Sequence, residues 1–150
     1  MLFVKFVIDN DRYLLATDRV VTLMPMVKVQ AVSAAPAHFP GCINYRGESV
    51  PVIDIVQLFR GRVARQRLST RIIVITMNAP ERQQNKVGLL VEKVVELVNL
   101  DEACFSPLTD GLQDNSWLDA AANDEHGVLY RVRCENLLSG PELDVVLPRL

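Results

Sequence analysis

The chain has 150 residues, of which 49% are hydrophobic and 23% charged, with a net charge of -2. That length and apolar content fit one domain, or two small intimate subdomains, around a packed core. The near-neutral balance argues against any overall pull toward nucleic acid or acidic lipid. No apolar run approaches the roughly 20 residues that span a bilayer.

In chain order the sequence reads as strand after strand. Leu2–Ile8 and Tyr13–Ala16 form a hairpin around Asn10-Asp11, and the start lacks the basic region of a signal peptide. Val20–Leu23 and Met26–Val32 are β-branched or apolar, and Pro25 between them marks an edge or a bulge. Residues 34–40 form a Pro-bounded loop or short helix. Ile43–Arg46 and Ser49–Ile53 are strands around a turn at Gly47, and Asp54 caps a helical turn reaching Arg60. The stretch Arg60–Arg71 holds five arginines and no acid. Ile72–Met77 is a buried-type strand and Asn78–Asn85 a polar loop. Val87–Val91 and Val94–Leu100 are strands separated by Glu92-Lys93. Asp101–Gly127 is loop-rich, with seven acids and no Lys or Arg. Val128–Arg133 alternates as a strand, Glu135–Leu138 makes a short helical turn, and the tail ends PELDVVLPRL. The pattern predicts an all-β barrel or sandwich with short helical turns.

Chemistry-bearing residues do not converge. His38 and His126 fall in loops. No His-x₃-His, Cys-x₂-Cys or calcium-loop spacing occurs, so no metal is expected. No glycine-rich nucleotide cradle or nucleophile elbow occurs, so neither a cofactor nor catalysis is expected. Cys42, Cys104 and Cys134 are odd in number and far apart, which argues against a disulfide framework and for a cytosolic compartment. Cys42 and Cys134 read as small core residues. The arginine run reads as a solvated loop or a partner-facing patch. As a nucleic-acid site it lacks stacking aromatics, with only Phe59 beside it. The acidic segment could complement it within the fold or across a contact.

One motif stands out. In GCINYRGESVPVIDI, residues 41–55, Arg46 places a permanent charge inside an apolar pattern, directly before the Gly47 turn. Gly41, Asn44, Arg46, Gly47, Pro51, Val52 and Asp54 match, in order and without gaps, the signature of CheW-like coupling proteins. APAHFPG before it, VGLLVEKVVELVNL after it, the opening hairpin and VLYRVRCENLL extend the resemblance over nearly the whole chain, most weakly at 101–127. The resemblance implies two intertwined five-stranded SH3-like barrels forming a single domain over 1–150. It implies a non-catalytic, cytoplasmic adaptor, monomeric when alone and not inserted in the membrane. Such an adaptor couples a chemoreceptor cytoplasmic hairpin tip to the regulatory domain of a CheA-type histidine kinase in a membrane-bound array. By alignment, the receptor-binding groove would draw on Val20, Gly41, Asn44, Arg46, Gly47, Val94 and Leu97, and the kinase-facing residues stay unassigned. Core packing is the alternative role of the apolar members, and holding the turn that of Asn44. Where the family usually has an acid able to pair with the arginine, this chain has Thr22. That leaves Arg46 to position the turn, to pair elsewhere, as with Asp18, or to meet the partner. The NYRG and LSTRIIVI stretches resemble auxiliary couplers of non-flagellar chemosensory systems such as the Wsp-type pathway. The rival from a different class is a nucleic-acid-binding β-barrel acting through Arg60–Arg71.

Overall fold

The computed structural model describes residues 1–32, 35–77, 85–108 and 117–137. The described chain is all-β with one short helix, and it divides into two compact units. The first unit joins Met1–Asp18 to Lys93–Leu137, and the second runs from Arg19 to Glu92 between those halves. The chain thus leaves the first unit and returns to it after the second, a chain order that suits the intertwining implied by the resemblance.

The first unit is built on a six-stranded sheet. Its strands are β1 (Leu2–Ile8), β2 (Asp11–Ala16), β8 (Lys93–Asn99), β9 (Ser106–Pro107), β10 (Leu118–Asp124) and β11 (Gly127–Val132). The order is β8-β1-β2-β11-β10-β9, with β11 and β2 parallel. Phe3, Leu14 and Leu129 form a buried cluster, against which Ala16, Leu100 and Phe105 pack.

The second unit carries β3 (Val20–Pro25), β4 (Gly41–Tyr45), β5 (Glu48–Asp54), β6 (Arg71–Thr76) and β7 (Lys86–Val91), with helix α1 (Ile55–Arg60) after β5. Its sheet order is β3-β6-β7-β5-β4. The three central strands read as near-continuous apolar runs because both their faces are buried: Val50, Val52, Ile53, Ile72–Ile75, Val87 and Leu89 are all inaccessible or nearly so. Asp54 caps α1 as the sequence suggested, its carboxylate accepting the Gln57 N–H at 3.0 Å.

The sheets hold six and five strands where five each were expected; the extra one is the two-residue β9. Met26–Val32 is no strand. Its described β-pairing with the sheet is a single bridge between Gln30 and Cys42. Pro25 ends β3, which is an edge strand. The first hairpin turns at Asp9-Asn10, with Asp11 already in β2. The acidic segment, expected to be loop-rich with no strand assigned, supplies β9 and β10. The terminal helical turn is a 3-10 turn over Cys134–Asn136. Most of the polar loop (78–84), the middle of the acidic segment (109–116), Leu138 and the tail lie outside the described residues.

Candidate functional site

The β4–β5 connection is the most sharply defined feature of the motif. Tyr45 faces Glu48 in the register, so Arg46 and Gly47 alone make the loop. Their φ angles are 50° and 83°. Two positive values in a two-residue hairpin are type I′ geometry, which matches the twist of the flanking strands. Arg46 therefore does not precede the turn, as the sequence pattern suggested; it is the turn's first corner. Asn44 holds the turn from inside the strand, its Oδ1 accepting the Gly47 N–H at 2.9 Å.

Arg46 is exposed, and its guanidinium lies 5.5 Å from the Tyr45 ring centroid. Within its own unit it makes no ion pair with any described carboxylate. Glu48, two residues on, is taken by the Lys86 ammonium at 3.1 Å. At the position where an acid could have paired with Arg46, the Thr22 hydroxyl instead turns to the Leu23 carbonyl at 3.4 Å. Asp18, the other acceptor considered, belongs to the first unit.

Gly41 begins β4 at φ 149°, and a Cβ there would sit 2.0 Å from the Gln30 carbonyl oxygen. Close backbone approach alone demands this glycine. Asn44 and Gly47 also line a pocket of about 540 Å³ together with Lys28, Gln30, Cys42 and Ser49. Lys28 escaped the sequence reading because only the Gln30–Cys42 bridge brings 28–30 alongside β4, whereas Ser49 joins the pocket directly across the hairpin from Asn44. Val20 is half-buried at the start of β3, on the edge of the sheet opposite β4.

Val94 and Leu97 lie in the first unit, on β8. Three residues apart, they would face opposite ways on a regular strand. Leu97 instead faces Val4 and Val94 faces Phe6, with Val95 bulged out between them. The bulge thus turns both side chains to one face. Val94 is half-buried there, and Leu97 is 56% exposed. Five of the seven candidate residues are therefore in the second unit and two in the first.

The charged groups separate by unit. The acidic segment finds cations in its own unit: Asp124 forks onto Arg12 at 2.7 Å, and Arg131 bonds Asp119 at 2.7 Å and Glu102 at 2.9 Å. The Arg12 hydrogen bonds hold the Asp124 carboxyl well below the usual range, and Asp124 in turn raises Arg12. Burial works to lower Arg131, but Asp119 and Glu102 outweigh it and the net direction is up. In the second unit the Glu92 carboxyl is lowered to about 2, chiefly by hydrogen bonds from Arg62. Neither histidine joins a metal-binding set, since no group of three or more His, Cys, Asp or Glu side chains among the described residues could hold an ion. Cys134 is buried, Cys42 is half-buried at the pocket, and Cys104 is exposed. No helix among the described residues is long and apolar enough to cross a membrane.

A two-unit β scaffold that presents a strained, charged hairpin tip defines the class. Residues 2–142 match the model of the CheW-like domain, and the chain belongs to that family. The fold is similar to that of the scaffolding protein TtCheW from Thermoanaerobacter tengcongensis, at a TM-score of 0.84 and 22% identity, covering 97% of this chain and 92% of that one. No curated protein matches the sequence.

Proposed function

We propose that this chain is a non-catalytic adaptor that couples the cytoplasmic hairpin of a chemoreceptor-type protein to the regulatory domain of a CheA-type histidine kinase. Family membership over residues 2–142 supports the adaptor reading, as does the likeness to a protein titled a scaffold. The observation that carries it within the chain is the Arg46 corner. A left-handed backbone at a non-glycine residue costs about 1–2 kcal/mol. Here that cost presents a guanidinium to solvent with no described acid of its own unit in an ion pair with it. Such strain persists where the side chain is wanted in place. In this reading the two units work as one domain in the cytoplasm. Arg46 supplies a forked donor to the receptor hairpin, while Val20, Val94 and Leu97 offer apolar surface to it. Asn44 and Gly47 fix the turn, and Gly41 fixes the strand behind it. The protein is monomeric alone and recruited to receptor arrays, and an auxiliary coupler of a Wsp-type pathway is the finer form of the same role.

The test is a titration of the purified chain against a receptor cytoplasmic hairpin and a CheA-type regulatory domain from the same genome, at two salt concentrations. Saturable binding to both is expected. Val20→Asp places a charge on apolar surface and weakens receptor binding by about 1–3 kcal/mol. Absence of binding to either partner would end the adaptor reading.

A further inference from the structure

The arginine-rich connection between α1 and β6 contains none of the residues discussed for the receptor, and the chain treats it unusually. Three polar or charged side chains are buried among the described residues: Asp54, Thr70 and Glu92. All three bond to this one loop. Asp54 accepts the Ala64 N–H at 2.9 Å while capping α1 with its other oxygen. Glu92 accepts the Arg65 N–H at 2.7 Å and both ends of the Arg62 guanidinium at 2.8 and 3.0 Å. The Thr70 hydroxyl accepts the Arg67 N–H at 2.9 Å and donates to the Arg65 carbonyl at 2.6 Å. The Ser69 hydroxyl donates to the Glu92 carbonyl at 2.9 Å, and Arg71 donates to the carbonyls of Leu68 and Thr70.

A solvated connection needs none of this. Buried polar groups cost free energy unless bonded, and here they are bonded to a surface loop. The result is a backbone fixed from residue 64 to residue 70, with one exposed apolar side chain on it and another immediately before it. Leu68 is 98% exposed and Val63 is 71% exposed. Between them Arg65 and Arg67 are exposed, and neither side chain forms an ion pair with a described carboxylate. Arg62 and Arg71 are spent inside, and the described acids of 101–127 that form ion pairs do so within the first unit. Preorganisation of this kind lowers the ordering cost of binding.

We propose that residues 63–68 are a docking surface for an acidic protein segment that carries leucine-type side chains beside its carboxylates. The Arg65 and Arg67 forks suit carboxylates, which they can take bidentately. Leu68 and Val63 require an apolar counterpart. Nucleic acid fits poorly, because the loop has no aromatic for base stacking. An anionic membrane fits poorly too. Arg65 and Arg67 at about 1 kcal/mol each, with one leucine, hold a chain of net charge -2 weakly.

The full chain, labelled with 15N, is titrated with a capped peptide of alternating glutamate and leucine. Parallel titrations use a capped polyglutamate of equal length, a thymidine oligonucleotide, and vesicles of phosphatidylcholine and phosphatidylglycerol. The expected result is saturable shifts confined to the amides of residues 62–71, tightest for the glutamate–leucine peptide. Leu68→Ser weakens this binding about fivefold or more, and Leu68→Met restores most of it. Arg65→Ala with Arg67→Ala weakens it about tenfold and flattens its salt dependence. All these positions are exposed, so each variant keeps the parent spectrum outside the loop. Shifts elsewhere, indifference to Leu68→Ser, or equal or tighter binding of polyglutamate, oligonucleotide or vesicles overturns the proposal.

Discussion

At Arg46 the stability and the function of a single residue pull apart. A type I′ turn is best served by Asn-Gly, because asparagine tolerates positive φ where arginine does not. Arg46→Asn is expected to raise unfolding stability by about 0.5–1 kcal/mol and to weaken receptor binding. Arg46→Ala is expected to weaken receptor binding equally with the fold intact. Urea unfolding beside the receptor titration checks both, and a destabilised Arg46→Asn would make the arginine a structural strut. Gly41 is the opposite case, a residue with no latitude. Gly41→Ala drives a methyl group into the Gln30 carbonyl oxygen at 2.0 Å, so a loss of at least about 3 kcal/mol is expected in the same urea measurement. The motif announced both residues, and it left Asn44 two roles, groove residue or holder of the turn, of which the bond to the Gly47 N–H fits the second. It could not announce that Arg46 occupies the corner. Strand and turn differ there by one backbone dihedral that an arginine ordinarily avoids. The clash that requires Gly41 comes from Gln30, eleven positions away, whose approach no local pattern encodes.

At the scale of elements, the loop after α1 makes three of its hydrogen bonds to the Glu92 carboxylate. Glu92 in the folded chain titrates at about 2, below its ordinary 4.5. A group depressed on folding adds stability that is complete above its unfolded pKa and is lost as pH falls through the folded one. Its contribution, on the order of 3 kcal/mol, is therefore whole above about pH 4.5 and fades toward pH 2. Glu92→Gln is expected to lower the urea midpoint near neutral pH and to flatten its fall across that acid window. Parallel slopes for parent and variant would show that Glu92 does not carry this dependence. The elements themselves were unevenly legible. The central strands β5, β6 and β7 were plain because burial on both faces writes a continuous apolar run. Met26–Val32 wrote a similar run without being a strand, because only Gln30 reaches a partner edge. The reverse error hid β10. Its sequence, LDAAAND, has low strand propensity, and tertiary pairing decides it: the hairpin with β11 and the Asp119–Arg131 and Asp124–Arg12 ion pairs hold it extended. Of the candidate groove, Val94 and Leu97 were legible as residues. Their shared face was not, since a bulge is invisible to a period of two.

For the whole molecule the decisive fact is the order in which the chain visits its two units. The second unit's described strands form one uninterrupted stretch from Arg19 to Glu92, whereas the first unit must join Met1–Asp18 to Lys93–Leu137. Pairing β1 with β8 closes a loop that contains every described residue of the second unit. Closing a flexible loop of that length costs roughly 4 kcal/mol in chain entropy. If the second unit is already compact, the ends of the loop are held closer and much of that cost disappears. The β6–β7 pairing needs a far shorter closure, and β5 then adds to β7 across the same core. The second unit is therefore expected to form first. Pulse-labelled hydrogen exchange during refolding from urea should show the amides of β5, β6 and β7 protected before those of β1 and β8. The same order predicts where a core deletion acts. Leu14→Ala, in the first unit's buried cluster, is expected to cost about 2–5 kcal/mol of stability. That loss should fall mainly on the unfolding rate, since contacts absent from the transition state leave folding speed nearly untouched. Simultaneous protection of all five strands, or a Leu14→Ala variant that mainly slows refolding, would mean instead that the first unit belongs to the nucleus and that the long closure is made early.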